Sequence, residues 1–370
     1  MIFALVMAVA LLAYANGAND NFKAVATVYG SKTLGYRPAL ALATVAQVLG
    51  SLASVLLAGA LVKAFGGKGL VPAVVVGDPT FLVAVGAGAA ATVLIATRVG
   101  LPVSTTHALV GGLMGGGLAM APADLAWSRL GSGYFLPLLT SPLMALVGAA
   151  LLYPVARGLR RRLRVEPTTC VCLDGGVEHA DMQPDGSLIL RRTGLRVHVE
   201  DVGACSQRYE GSIVGVSAQR VVDTLHTASA LTLGFARGLN DTPKVCALLV
   251  AAGWSGVDPR LALLVVAVVM GLGGVLHARR VAETLSHRIT DINHGQGLLA
   301  NAVSSALVVG ASMLGSPVST THVSTGAIFG IGLWNGRTDW RLAGGIVLAW
   351  VATLPLGASL AWVTARALMA

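Results

Sequence analysis

The chain has 370 residues, 55% of them hydrophobic and only 12% charged, with a mean hydropathy of +0.74. Soluble domains average about 25% charged residues, and a soluble α domain of this composition would have to hide too many helices that are apolar all round. The formal net charge of +9 does not point to nucleic acid, because ten of the 26 Lys and Arg fall within residues 157–220, beginning with "RGLRRRLR" beside an apolar segment.

Apolar stretches near membrane-spanning length recur at 1–15, 38–62, 79–97, 142–156, 259–276, 295–314 and 343–365. A bilayer core needs about 20 residues of helix, so the pattern predicts an all-α polytopic membrane protein with the lipid bilayer as its surroundings. The first stretch lacks the basic residue that precedes the apolar run of a signal peptide and reads as the first transmembrane helix. It runs into "GANDNFKAV" at 17–25, which sets Asn19, Asp20 and Lys23 in an apolar context. A carboxylate in a bilayer core costs about 2.5–3.5 kcal/mol and usually marks an ion or substrate path. The alternative is polar glue between helices.

After 79–97 comes "PVSTTH" at 102–107. Pro followed by Ser and Thr reads as a helix start, and a helix start offers free N–H groups and a positive dipole end to an anion. Simple capping is the other reading. His107 and His322 read as packed or hydrogen-bonded residues.

The basic run at 157–164 places the following segment in the cytoplasm by the positive-inside rule. Walking outward from it, Lys32, Arg37, Arg279, Arg280, Arg288, Arg337 and Arg341 fall inside, and Lys63, Lys68 and Arg129 outside. The count is seventeen inside against three in outer loops, which puts both termini outside, with Arg366 at the outer C-terminus. The polar segment holds "SLILRRTGLRVHVED", which suggests a strand or two, and Cys170, Cys172, Cys205, His179 and His198. Cys-x-Cys is not the usual structural zinc spacing. A small cytoplasmic loop domain with reduced thiols is expected, with no metal beyond a Na⁺ in the membrane. Cys246 reads as a small packing residue.

The second half repeats the first. "GLNDTPKVC" at 238–246 matches "GANDNFKAV" at an offset of 221, and "SPVSTTHVSTGAIFG" at 316–330 matches "LPVSTTHALVGGLMG" at an offset of 215. The chain therefore divides into a first repeat (1–157), a cytoplasmic insert (158–220) and a second repeat (221–370). The charge-derived topology starts one repeat outside and the other inside, so the fold expected is two inverted-topology repeats, with broken helices or hairpins meeting at a mid-membrane site. Whether 79–120 and 295–334 are re-entrant hairpins or full crossings stays open. Asn19, Asp20, Asn240 and Asp241 offer oxygens to a hard cation, Na⁺, or a carboxylate to a proton. Two helix starts facing each other would make a pocket for a tetrahedral oxyanion. No nucleophile–base pair and no nucleotide loop appears, which argues against an enzyme and against ATP drive.

"NGANDNFKAVATVYGS", "GFARGLNDTPK" and the paired "PVSTTH" resemble the PiT family of inorganic phosphate transporters, over nearly all of the membrane portion. The resemblance implies symport of phosphate with Na⁺ or H⁺ across the cell (inner) membrane, usually by a homodimer. It implies phosphate held by Ser104, Thr105, Thr106, Ser319, Thr320 and Thr321, and cation sites at Asn19, Asp20, Asn240 and Asp241. A sulfate or other oxyanion permease comes next, and an anion channel or a sensor after that. The chain departs from the family's "GANDxAN" by reading "GANDNFKAV", so that Lys23 and Lys244 either add positive charge near the anion or snorkel away from it.

Overall fold

The computed structural model describes residues 1–174, 177–185, 187–192, 196–204, 214–253, 258–287, 292–336 and 338–370. Cys205, Arg288 and Arg337 lie outside the described residues. The described chain is mostly helical and separates into two units, Met1–Tyr153 with His226–Ala370, and Pro154–Leu225.

In the larger unit the first helix, α1 (Ile2–Asp20), gives way to a 3₁₀ turn over Asn21–Val25 and resumes as α2 (Ala26–Gly30). Then come α3 (Tyr36–Leu57), α4 (Gly59–Phe65), α5 (Ala73–Val76), α6 (Pro79–Arg98), α7 (Thr105–Met120), α8 (Trp127–Leu130) and α9 (Leu136–Arg162). Beyond the insert lie α10 (Ala218–Ala251), α11 (Pro259–His277), α12 (Arg279–His287), α13 (His294–Met313), α14 (Thr320–Asn335) and α15 (Trp340–Met369). Among the described residues, seven helical segments are long and apolar enough to cross a membrane, each overlapping one apolar stretch of the sequence.

The offsets read from the sequence reappear as element boundaries. α13 and α14 are α6 and α7 shifted by 215 residues at both ends. α10 corresponds to α1 through α2, with Pro243 inside a continuous helix where the first repeat has its 3₁₀ turn. Local chemistry explains the starts and stops. Asp78 and Asn293 cap α6 and α13, with Pro79 at the first turn of one and a capping box through Gln296 in the other. After each helix the chain turns back through Gly100 (φ 74°) or Gly315 (φ 68°), a left-handed conformation that glycine adopts without a Cβ clash. α7 and α14, at 16 residues each, are about 24 Å long, short of a bilayer core of about 30 Å.

Each repeat packs its helices on the other. α7 lies against α15 with Gly111 and Gly115 facing the backbone of Leu354 and Ala358, and α14 lies against α9 with Gly326 and Gly330 facing Pro142 and Leu146. A Cβ at any of the four would collide with a carbonyl oxygen of the partner helix. The same exchange recurs where Gly17 of α1 meets Met270 of α11 and Gly238 of α10 meets Gln47 of α3. Small residues that let backbones approach are the usual means of joining helices in lipid, where burial of apolar surface gives no net drive.

Among the described residues the smaller unit carries five strands, β1 (Thr169–Asp174), β2 (Val177–Met182), β3 (Leu188–Arg192), β4 (Arg196–Asp201) and β5 (Val214–Ser217). They form a three-stranded sheet in the order β4-β1-β5 and a β2-β3 hairpin. The segment expected to hold a strand or two supplies β3 and β4. Cys170 and Cys172, two apart on β1, point to one buried face. Cys170 is free, but Cys172 is disulfide-bonded, which corrects the expectation of reduced thiols at that position. No cluster of metal-ligating side chains occurs among the described residues.

Candidate functional site

Both hexapeptides begin helices. Ser104 and Ser319 are the N-caps of α7 and α14, their hydroxyls accepting from the backbone N–H of His107 (3.1 Å) and His322 (3.2 Å). Capping therefore accounts for the two serines. The threonines that follow are committed elsewhere, and they bring the repeats together. Thr106 donates to the Val318 carbonyl at 3.3 Å and Thr321 to the Val103 carbonyl at 3.1 Å, each hydroxyl reaching the backbone of the other hexapeptide. Behind them the rings of His107 and His322 lie 4.3 Å apart, and His322 stacks on Trp350 at 3.8 Å, so both histidines are packed residues.

The Asn-Asp-Lys motifs converge on these helix starts. Asn19 donates to Thr97 (2.9 Å) and to the Leu101 carbonyl (3.1 Å) and accepts from the Val103 N–H (3.1 Å). Asn240 donates to Asp241 (2.9 Å) and accepts from Ser312 (3.1 Å). Thr105 donates to Asp20 at 3.1 Å, and its counterpart Thr320 donates to Asp241 at 3.4 Å. Lys23 pairs with Asp20 and donates to the Val103 carbonyl and the Thr321 hydroxyl, both at 2.7 Å. Lys244 donates to the Val318 carbonyl (2.7 Å) and the Thr106 hydroxyl (2.8 Å), with Asp241 at 3.6 Å. The pattern is reciprocal: each lysine binds its own repeat's valine carbonyl and the other repeat's threonine. At 4% and 1% exposure, Lys23 and Lys244 do not snorkel.

All twelve site residues named from the sequence thus lie buried at this centre, the two serines as helix caps and the other ten in the contacts just described. Sequence reasoning missed several members. Asn16 donates to both Asp20 and Thr105 at 2.9 Å. Arg237, 2% exposed, donates to the Asp20 carbonyl at 2.8 Å and stands 3.8 Å from its carboxylate. It sits in the quoted "GFARGLND", and a lone guanidinium in a helix flanking an intramembrane Asp was the available signal. Val103 and Val318 act through their carbonyls, and no side-chain letter announces such a role. Beside Asp20 and Asp241 lies a cavity of about 10 Å³, enough for about one water, lined also by Asn16, Asn21, Gln47 and Arg237. Both polar atoms of the Gln47 side chain, the Nε and Nη2 of Arg237 and the Oδ1 of Asn21 have no hydrogen-bond partner among the described residues.

Helices that exchange partners between two repeats around a buried, charged, hydroxyl-rich centre define a multi-pass membrane transporter. A model of the phosphate transporter family, PHO4, matches residues 16–361, and the chain belongs to that family, which is one of transporters and not of enzymes. Among its relatives, "Putative phosphate permease PF1020" of Pyrococcus furiosus is 26% identical over 97% of this chain and 94% of its own length. The "Probable low-affinity inorganic phosphate transporter" of Mycobacterium tuberculosis is 28% identical over 95% of this chain and 74% of its own. A solved structure titled "The sodium-dependent phosphate transporter" shares the fold, with a TM-score of 0.75 over 100% of this chain and 98% of that one, at 20% identity.

Proposed function

We propose that this chain is a secondary active transporter that imports inorganic phosphate by symport with a cation, Na⁺ or H⁺, across the cell (inner) membrane. The observation that carries the reading is the reciprocal Lys23–Thr321 and Lys244–Thr106 pairing at two facing helix starts. An incoming tetrahedral oxyanion takes over these donors, held by Ser104, Thr105, Thr106, Ser319, Thr320 and Thr321 and by the N–H groups of both first turns. The carboxylates of Asp20 and Asp241 at the same centre favour phosphate over sulfate. Phosphate carries an O–H that must be accepted by something when buried, and sulfate does not. Asn19, Asp20, Asn240 and Asp241 are the expected cation residues. The two repeats are of inverted topology, an arrangement supported by the exchanged helix packing and the charge distribution, and the working unit is a homodimer.

Proteoliposome uptake of labelled phosphate and sulfate, with Na⁺ and pH gradients imposed separately, tests the reading. Phosphate accumulation driven by one of the gradients is expected. Accumulation of sulfate alone moves the chain to the other oxyanion permeases, and equilibration without accumulation makes it a channel. For topology, single cysteines at Ser132→Cys and Ser187→Cys in a cysteine-free background should label from opposite sides, the first in intact cells and the second only after permeabilisation. Same-side labelling removes the inverted arrangement.

A further inference from the structure

The ammonium groups of Lys23 and Lys244 bear directly on the coupling cation. A hard cation is bound by carboxylate, carbonyl and hydroxyl oxygens. One such set, the Asp20 carboxylate, the Val103 carbonyl and the Thr321 hydroxyl, surrounds the Nζ of Lys23. An ammonium has three N–H donors and no acceptor, and these oxygens use all three. The repeat-related set, the Val318 carbonyl, the Thr106 hydroxyl and the Asp241 carboxylate, surrounds the Nζ of Lys244. Of the other candidates named from the sequence, the Oδ1 of Asn19 accepts from Val103 and that of Asn240 from Ser312. The unpartnered oxygens of Asn21 and Gln47 line a cavity that they share with the buried guanidinium of Arg237, again a charge of the same sign as Na⁺.

A Na⁺ drawn to either set would share its oxygens with a covalently attached charge of the same sign. Both lysines are buried, where like charges repel far more than in water. The residues present therefore do not fit Na⁺. The charge balance agrees. Two buried carboxylates, Asp20 and Asp241, face three buried cations, Lys23, Lys244 and Arg237. The side chains alone leave one net positive charge, so an arriving anion needs no inorganic cation to offset the carboxylates.

We propose that Lys23 and Lys244 stand in the two oxygen cages that a transported Na⁺ would use, and that this chain binds and moves its oxyanion without Na⁺. The proposal rests on the oxyanion-transport reading above and removes Na⁺ from its two coupling cations. Two measurements on the purified full chain test it. The first is radiolabelled Na⁺ binding in choline buffer with no phosphate present, which is independent of what the protein carries. No saturable binding is expected, and saturable binding that Asp20→Asn abolishes overturns the proposal. The second is equilibrium binding of inorganic phosphate in sodium and in choline chloride at equal ionic strength. Equal affinity is expected, and a loss of about tenfold or more in choline, equivalent to about 1.4 kcal/mol, overturns the proposal. Lys23→Asn should lose about tenfold in phosphate affinity in choline and recover it when Na⁺ is added. Wild-type affinity of this variant in choline overturns the proposal too, and if the variant fails to fold the wild-type measurements still decide. If wild-type protein binds phosphate in neither salt, the phosphate reading fails while Na⁺ binding continues to decide this inference.

Discussion

Asp20 and Asp241 occupy the same place in two copies of one motif, and their surroundings differ. Asp20 is met by Lys23, Arg237, Asn16, Thr105 and Thr321. Asp241 has Asn240 at 2.9 Å, Thr320 at 3.4 Å and Lys244 at 3.6 Å. Two of the contacts that Asp20 alone receives trace to one pair of positions. Asn16 and Arg237 are equivalent at the offset of 221, and Arg237 reaches out of its own repeat to the first repeat's carboxylate. A duplicated sequence therefore produces a nearly two-fold site with one tight side and one loose side. The loose carboxylate has the weaker hold on its own threonine and lysine, the groups that the proposed oxyanion would take over.

The largest expected effect comes from removing the carboxylates. Asp20→Asn and Asp241→Asn should each abolish concentrative uptake while leaving a membrane-inserted protein. Breaking a buried ion pair by deleting one partner costs about 3–5 kcal/mol. Asp20→Asn strands two cations and should lie at the upper end, whereas Asp241→Asn strands one cation already 3.6 Å away and should cost less. Thermal unfolding of the detergent-purified variants, run beside uptake, reads the order. Equal losses would erase the distinction between the two sides, and wild-type accumulation by both variants would remove the carboxylates from coupling.

A smaller effect sharpens the same contrast. A hydrogen bond to a charged group is worth about 1.5–3 kcal/mol, so removing a threonine hydroxyl from the bound oxyanion should weaken binding roughly 10- to 150-fold. Thr320, whose only side-chain hydrogen bond among the described residues is the long one to Asp241, would turn to a ligand at little cost. Thr105 is held between Asn16 and Asp20. Thr320→Val should therefore fall near the top of that range and Thr105→Val near the bottom, read by equilibrium phosphate binding. The reverse order would make Asp241 the tighter side. Unchanged affinity in both variants would place the anion away from the hexapeptides.

Much of this site was legible as letters. The repeated Asn-Asp-Lys and Ser-Thr-Thr sets sit at fixed offsets, and each residue in them is buried at the centre, the serines as helix caps. The apolar stretches marked the spans for the same reason, since uninterrupted hydrocarbon is a property of composition. α10 escaped that reading because Arg237, Asn240, Asp241 and Lys244 interrupt its apolar face, and a helix that lines a polar centre scores poorly as a span. Arg237 was overlooked because its partner lies 217 residues away and its repeat equivalent is an uncharged Asn16. The glycines at 111, 115, 326 and 330 were visible inside the aligned repeats, but which backbone each one admits is a long-range fact that neither repeat states on its own.

The exchange of helices between repeats sets the order in which the molecule can be completed. The chain emerges from the ribosome N-terminal end first, so the first repeat is finished while α11 and α15, which fill the small-residue faces of α1 and α7, have yet to be made. Until they arrive those faces are bare, and the pairs that close them join residues more than 200 positions apart, such as Gly17 with Met270 and Gly111 with Leu354. Contacts of that sequence separation are slow to form. A nascent first repeat is thus an assembly intermediate awaiting its other half, and a gene split at the insert should yield stable protein only when both pieces are produced in the same membrane.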